Sequence, residues 1–506
     1  MQSVTSEAQI TQSGQAISIN STTCKQMSDL FAPMFGPHGS IKALVSGGQQ
    51  LNLTKDGSVL CGSIQFIHPT SILITRAAAN IYSSNGDGTT AFVLLCSEIF
   101  LESYKLYNDG TSLPAIINSL QLALKDVNEF LQKNVIPLSD DNLRKLAFTS
   151  LNTKIRNPHK LVDIVIRALT SISSSKNFDT NMVEIIKMDE GDINDSVFID
   201  GLVLDHSGRH YAMPTFLENV CVLVTNMSLE YEKPEVNAEF CYSSADKREQ
   251  MALAEREFIL EKTRKIVDLS KELRKDGKSL LVINEKGIDL FSLEILADAG
   301  VLALRRAKRR NLERLVSMCG GSIVTQPSQV SKDNLGYCQK VTVKTIGENK
   351  YTLLEGTPFK GSCTILVKGN TDYQRMSSAI KGTLNSLATS VQIKCCTYGG
   401  IPLYRNIIKL LRERMVDVHE SDSMGYTALS NAFETLIKVL LRNEGKNIHE
   451  SLVKIFREDG FDSGIVENVK VVGNVISNSL FMAINLLMCD EIIKAGKPIQ
   501  KAGAEN

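Results

Sequence analysis

A chain of 506 residues, 43% hydrophobic and 22% charged, is long enough for two to four domains with cores of their own and too apolar to stay disordered. Its 56 Lys and Arg balance 56 Asp and Glu, so no net field draws it to nucleic acid or to an acidic membrane surface. The eleven cysteines form no CxxC pair, and Cys395 and Cys396 are adjacent, a usage that fits reduced thiols rather than a disulfide framework or a zinc site.

The opening residues, MQSVTSEAQITQSGQA, have neither the basic start nor the apolar stretch of a signal peptide, so the expectation is a soluble, cytoplasmic protein. The first third reads as mainly helical. The turn Gly36, Pro37, His38 and Gly39 follows a helical stretch. Thr54, Lys55, Asp56 and Gly57 read as a hairpin turn between LNL and SVL. The polar loop SSNGDG leads into an apolar helix over residues 89–100. Pro114 opens a further helix whose Ile116, Leu120, Leu124, Val127 and Leu131 form one stripe.

Between residues 183 and 224 the runs VFIDGLVLD and VCVLVTN read as strands. A charged helix over residues 245–275 follows, with Phe258, Ile259, Ile266, Leu269 and Leu273 on one face and Gly277 as its stop. SLLVIN, FSLEILADAG and VLAL then alternate strand, helix and strand, the pattern of a small α/β domain. From about residue 371 helical periodicity returns and lasts to the end. VISNSLFMAINLLM reads as too short and too interrupted to span a membrane, and the tail GKPIQKAGAEN reads as mobile. The expected class is α+β multidomain, compatible with a middle domain inserted into a discontinuous helical one.

The sharpest chemical signal is Gly86, Asp87, Gly88, Thr89 and Thr90. Glycines let a ligand approach the backbone, amides at a helix start favour an anion, threonine hydroxyls add hydrogen bonds, and an aspartate can hold Mg²⁺. An ordinary capped turn explains the same five residues about equally well, and no GK[ST] follows that would make it a Walker loop.

In their order and spacing, FGPHG, LTKDGS and GDGTT resemble the nucleotide-binding segments of the chaperonin family, in the group found in archaea and the eukaryotic cytosol. The resemblance continues through TSLNTK (149–154), GLVLDHSGRH (201–210), LRRAKRRNLERL (304–315), GTLNSLATSV and LLMCDEIIKAG (486–496), so it is essentially end to end. NMSLEYEKPEVN, INEKGID and RRAKRRNLER look like one subunit type of the eukaryotic ring.

The resemblance implies an equatorial ATPase domain from residues 1–144 and 399–506. It implies an intermediate hinge from 145–209 and 365–398, and an apical substrate-binding domain with a helical lid protrusion from 210–364. ATP or ADP with Mg²⁺ would be the cofactors. Paralogous subunits in a double ring and unfolded clients would be the partners, with neither nucleic acid nor membrane. Asp87 would bind the metal, and Gly88, Thr89 and Thr90 would cradle the phosphates. Phe35, Gly36, Pro37, Gly39, Gly57 and Gly400 would lie around the nucleotide, with Glu467 at its ribose. Asp56 would help position the attacking water, and Lys154 would sense the γ-phosphate.

Four departures from the family pattern bear on activity. Ser378 stands where the family has the Asp that activates water, and a hydroxyl is a poor general base at neutral pH. In the second glycine loop, residues 399–404, Ile401 occupies a place of close backbone approach and Tyr404 replaces a Glu. Glu467 is one methylene longer than the usual Asp, and His38 replaces a usual Lys or Arg. Together they imply a weak ATPase, or a ring member that binds nucleotide and scarcely turns it over.

An unrelated nucleotide-dependent enzyme such as a kinase would need an acceptor pocket and a base that no segment suggests. Arg305, Arg306, Lys308, Arg309, Arg310 and Arg314 read as a solvated helix face, as an import or nucleic-acid patch or, in family context, as a cationic groove for acidic client segments. Leu312, Leu315, Val316 and Cys319 would pack inward. Asp87, in a glycine-rich loop, reads as a position whose substitution alters stability by no more than about 0.5 kcal/mol.

Overall fold

Helical periodicity dictates the first limb of the chain, which runs through α1 (Gln15–Phe31), α2 (Gly57–Ser63), α3 (Pro69–Asn85), α4 (Thr89–Asn108), α5 (Leu113–Lys133) and α6 (Asp140–Asn152). The computed structural model describes residues 9–10, 14–45, 51–173, 179–188, 191, 195–230, 245–346, 348–369, 373–457 and 464–494. The chain forms two compact units, residues 1–165 with 374–506, and residues 166–373. It passes from the first to the second within α7 (His159–Ser173).

The second unit is built on a seven-stranded sheet in the order Leu302–Leu304, Ser279–Asn284, Phe216–Thr225, Gly336–Ile346, Asn349–Glu355 and Gly201–Leu204, with Ile323–Val324 also on Phe216–Thr225. SLLVIN pairs in parallel with its neighbours on both sides, and α8 (Ala245–Lys275) and α9 (Leu290–Asp298) supply the crossovers between those strands. α8 buries Ile266, Leu269 and Leu273 and ends before Gly277 at φ +70°. Phe258 departs from expectation: it is 60% exposed, its ring lying 4.4 Å from the Lys262 ammonium.

α10 (Arg309–Cys319) buries Leu312, Leu315 and Cys319 and half-buries Val316, as its apolar stripe requires. Arg314 does not belong to a solvated cationic face. It is buried, ion-paired to Glu184, and donates to the Asn181 carbonyl. The outward cations are compensated too. Lys308 meets Asp205 at 3.3 Å, Arg309 meets Glu285 at 3.2 Å, Arg310 meets Glu184 at 2.6 Å and Arg306 meets Glu230 at 3.6 Å.

The return limb adds α11 (Tyr373–Ile393), α12 (Gly400–Asp417), α13 (Ser423–Asn443), α14 (Ile448–Arg457) and α15 (Val469–Leu487). It is not purely helical: Cys395–Tyr398 pairs with Ile136–Pro137 and Val466–Glu467, which brings Glu467 opposite Thr397. The core of this unit gathers Phe31, Phe92, Phe100 and Phe433, all fully buried, around α4. The five expected stripe residues of α5 are all buried. α4 outruns its expected end by eight residues because its outer turns stay helical with a Glu102–Lys105 pair, and Gly110 at φ +96° follows the stop. By length and composition α15 could cross a membrane, contrary to the sequence reading, but Val475, Ile476, Leu480 and Leu487 are core residues. The tail GKPIQKAGAEN and the end of NMSLEYEKPEVN lie outside the described residues.

Candidate functional site

The first unit contains a cavity of about 430 Å³ bounded by residues from both of its limbs. One wall is the start of α4. Gly88 is its N-cap at φ +90°, a left-handed conformation that glycine tolerates and a bulky residue does not. No side chain caps the helix, so the first amides, at Thr89 and Thr90, remain available at the positive end of the helix dipole.

Asp87, just before them, is held by three groups. Its Oδ1 accepts from the Gly88 amide at 2.9 Å and lies 3.4 Å from Lys154 Nζ, while its Oδ2 accepts from the Ser150 hydroxyl at 2.7 Å. Lys154 is buried, and its ammonium has no well-formed hydrogen bond. Burial opposes that charge, yet Asp87 and Asp56 outweigh it and hold the group above its ordinary pKa.

The expected hairpin turn at residues 54–57 does not form. Leu51–Thr54 pairs backward with Lys42–Val45, and Asp56 instead caps α2, its Oδ1 accepting from the Ser58 amide at 2.9 Å and the Ser58 hydroxyl at 2.8 Å. Asp56 Oδ2 accepts from the Ser378 hydroxyl of α11 at 3.1 Å. Lys55 donates to the Pro37 carbonyl at 2.7 Å and pins the first glycine turn; burial, Arg156 and Arg375 lower its pKa to about 8.

On the facing side, the Gly400 amide donates to Glu467 Oε1 at 3.1 Å. Burial and the Asp87 charge push Glu467 up to about 7 against that hydrogen bond. Tyr404 is buried, its ring 5.7 Å from that of Phe433, and burial raises its phenol. Ile401 lines the cavity with its back to the core.

Asp56, Asp87, Lys154, Phe35, Gly36, Pro37, Gly57, Gly88, Thr89, Thr90, Gly400 and Glu467 all line this one cavity. Gly39 does not. It closes its turn with a hydrogen bond to the Gly36 carbonyl, and a Cβ there would meet the Met34 carbonyl at 2.3 Å. Sequence reading missed Ser150, Glu444, Lys446, Ile465 and Asn468, which also line it. Ser150 is near the end of α6, four positions before Lys154, which follows the helix.

Among the described residues no group of three or more His, Cys, Asp or Glu could hold a metal alone. A single hard carboxylate beside open helix-start amides and an unsatisfied ammonium fits a magnesium ion whose other ligands are phosphate oxygens and water. The residues present therefore fit Mg²⁺ with a nucleotide phosphate chain.

The sequence aligns with human T-complex protein 1 subunit zeta-2 at 33% identity over 524 residues, covering 98% of each chain. A model of the TCP-1/cpn60 chaperonin family matches residues 27–497. On that coverage, with the mixed helical and sheet architecture above, this chain belongs to the TCP-1/cpn60 chaperonin family.

Proposed function

We propose that this chain is a subunit of a hetero-oligomeric, double-ring cytosolic chaperonin that folds client proteins with ATP, and that its own ATPase is weak. The observation that carries the nucleotide part is the meeting, in one cavity, of an uncapped helix start, Asp56, Asp87 and the buried Lys154 ammonium. In this reading residues 1–144 and 399–506 form the ATP-binding domain. Residues 145–209 and 365–398 form the hinge, and residues 210–364, with α8 as the protrusion, receive clients.

When bound, Mg²⁺ neutralises phosphate charge and acts as a Lewis acid at the transferred phosphoryl group. Asp87 holds the metal. The Thr89 and Thr90 amides and the Lys154 ammonium take phosphate oxygens, which gives that ammonium hydrogen bonds beside its ion pair with Asp87. Asp56 orients water, with three donors already on its oxygens.

The second reading, a subunit that binds nucleotide without hydrolysing it, is favoured by Ser378. Its hydroxyl is spent on Asp56, and α11 presents no carboxylate there to accept the proton of an attacking water. The test is binding followed by turnover on the assembly purified from its host. Mg·ATP should bind this subunit and related subunits of similar mass should co-purify. A stable, active ring made from this chain alone would refute the hetero-oligomer.

A further inference from the structure

α11 reaches both aspartates of the cavity, Asp56 and Asp87, through uncharged hydroxyls. At one point Ser378 donates to Asp56. At the other, Ser150 Oγ lies 2.7 Å from Asp87 Oδ2 and 3.0 Å from Thr383 Oγ1 of α11. The direction of that second chain follows from proton counting. A carboxylate only accepts, so the single Ser150 proton goes to Asp87, and the contact with Thr383 must be donated by Thr383.

Threonines inside helices commonly return their proton to the carbonyl one turn back, as Thr389 of the same helix does to Asn385 at 3.0 Å. Thr383 is turned outward to α6 instead. It is fully buried, and Ser150 is nearly so. Backbone packing makes the junction stiff: a Cβ at Gly382 would stand 2.5 Å from the Gly86 carbonyl oxygen, so α11 lies directly on the loop that presents Asp87.

We propose that Thr383 and Ser150 form a hydroxyl relay through which α11 registers a Mg·nucleotide at Asp87 without hydrolysis. The proposal rests on the nucleotide reading above and adds the route by which occupancy leaves the site. A cation seated on Asp87 fixes the orientation of its carboxylate, and because the bonds in such a chain support one another, the Ser150 and Thr383 donations are held with it and α11 is tightened. Ser150 and Thr383 are thus positioning residues. The relay uses no group that titrates near neutral pH, and it lets a subunit lacking the catalytic carboxylate still report its occupancy to α11.

The test is amide hydrogen exchange over residues 378–388 of this chain in its purified assembly, with Mg·ADP, with ADP and chelator, and without nucleotide, alongside direct Mg·ADP binding. The parent should show slower exchange with Mg·ADP only. Thr383→Val, which keeps the shape and removes the hydroxyl, should bind Mg·ADP nearly as the parent does yet lose the slowing. Thr383→Ser should restore it. Ser150→Ala breaks the same chain at its middle and should also lose the slowing, which keeps the test decisive if Thr383→Val does not fold. If the parent binds no Mg·ADP, the nucleotide reading itself fails. If the parent binds and either relay variant keeps the full slowing, the relay is wrong while the site stands.

Discussion

The two walls of the cavity differ in what they offer a nucleotide. Around the start of α4 the groups are small and polar: open backbone amides at Thr89 and Thr90, the partly exposed Asp87 carboxylate and an ammonium with unused donors. Across from them the groups are large or already engaged. Glu467 is bonded to the Gly400 amide, Tyr404 packs at a tilt on Phe433, and Ile401 is packed against the core, while Ser378, bonded to Asp56, is not itself a lining residue. Holding phosphate and metal needs only the first wall, whereas activating water needs an acceptor that the second does not supply. On the proposed reading, binding and turnover rest on separate elements, and a chain can keep one while losing the other.

The largest expected effect comes from supplying the missing acceptor from α11, behind Asp56. A positioned general base is typically worth about 10²–10⁴ in rate. Ser378→Asp should raise hydrolysis at this site by about a hundredfold, the low end of that range, because the new carboxylate would face Asp56 across the present 3.1 Å contact and one of the two acids would be held partly protonated. The measurement is ATP turnover in an assembly whose other subunits are inactivated by substitution. No increase, with nucleotide demonstrably bound, would mean that the missing acceptor does not limit this site.

Damage to the first wall comes next. The sequence suggested that Asp87 could be replaced with almost no change in stability, and the structure overturns that. Lys154 is buried beside it, and stripping a buried ion of its partner costs about 3–5 kcal/mol, less here because Asp87 is itself 27% exposed. Asp87→Ala should therefore lose Mg-dependent nucleotide binding and also about 2 kcal/mol of stability in denaturant titrations. Adding Lys154→Met should recover most of the stability and none of the binding. A single variant as stable as the parent would show that Lys154 finds another partner.

Legibility followed sequence distance. The Gly88–Thr90 loop and the α5 stripe were readable because their information is local: glycine spacing, a helix start, a 3.6-residue period. The turn at residues 54–57 was misread because LNL finds its partner strand upstream, leaving Asp56 free to cap α2, and the hydroxyl of Ser58 two positions on is part of that cap. Arg314 reads as one more exposed cation until Glu184, 130 positions away, takes it inward. The Ser150–Thr383 contact spans 233 positions and has no local signature at all.

Glu467 sharpens the comparison through pH. Its pKa rises to about 7 on folding, so the folded state holds this proton more tightly than the unfolded chain does. Its contribution to stability is complete below the ordinary carboxylate range and is lost as pH rises through about 7. Glu467→Gln keeps an acceptor for the Gly400 amide and removes the charge. Its thermal midpoint should match the parent near pH 5 and exceed it at pH 8, by the equivalent of about 1–2 kcal/mol. Parallel pH profiles for the two proteins would remove Glu467 from the account.

The smallest effect is the most discriminating test of the second wall. Tyr404 is 8% exposed, its ring packs on Phe433, and no protein partner for its hydroxyl stands among the described contacts. If the residue is there to fill the wall, Tyr404→Phe keeps the filling and should alter stability by less than about 0.5 kcal/mol, with Mg·ADP affinity nearly unchanged. If the hydroxyl instead reaches a bound nucleotide, its loss should cost about 0.5–1.5 kcal/mol of binding, roughly two- to tenfold in Kd. Isothermal titration of the two proteins separates these outcomes. Tyr404→Glu, which restores the residue type of the family pattern, is not the equivalent experiment: it would bury a carboxylate in the apolar core near Glu467, at a cost of several kcal/mol unless the group stays protonated. A clear loss of affinity in Tyr404→Phe would make the second wall a binding surface and undo the separation drawn between the two.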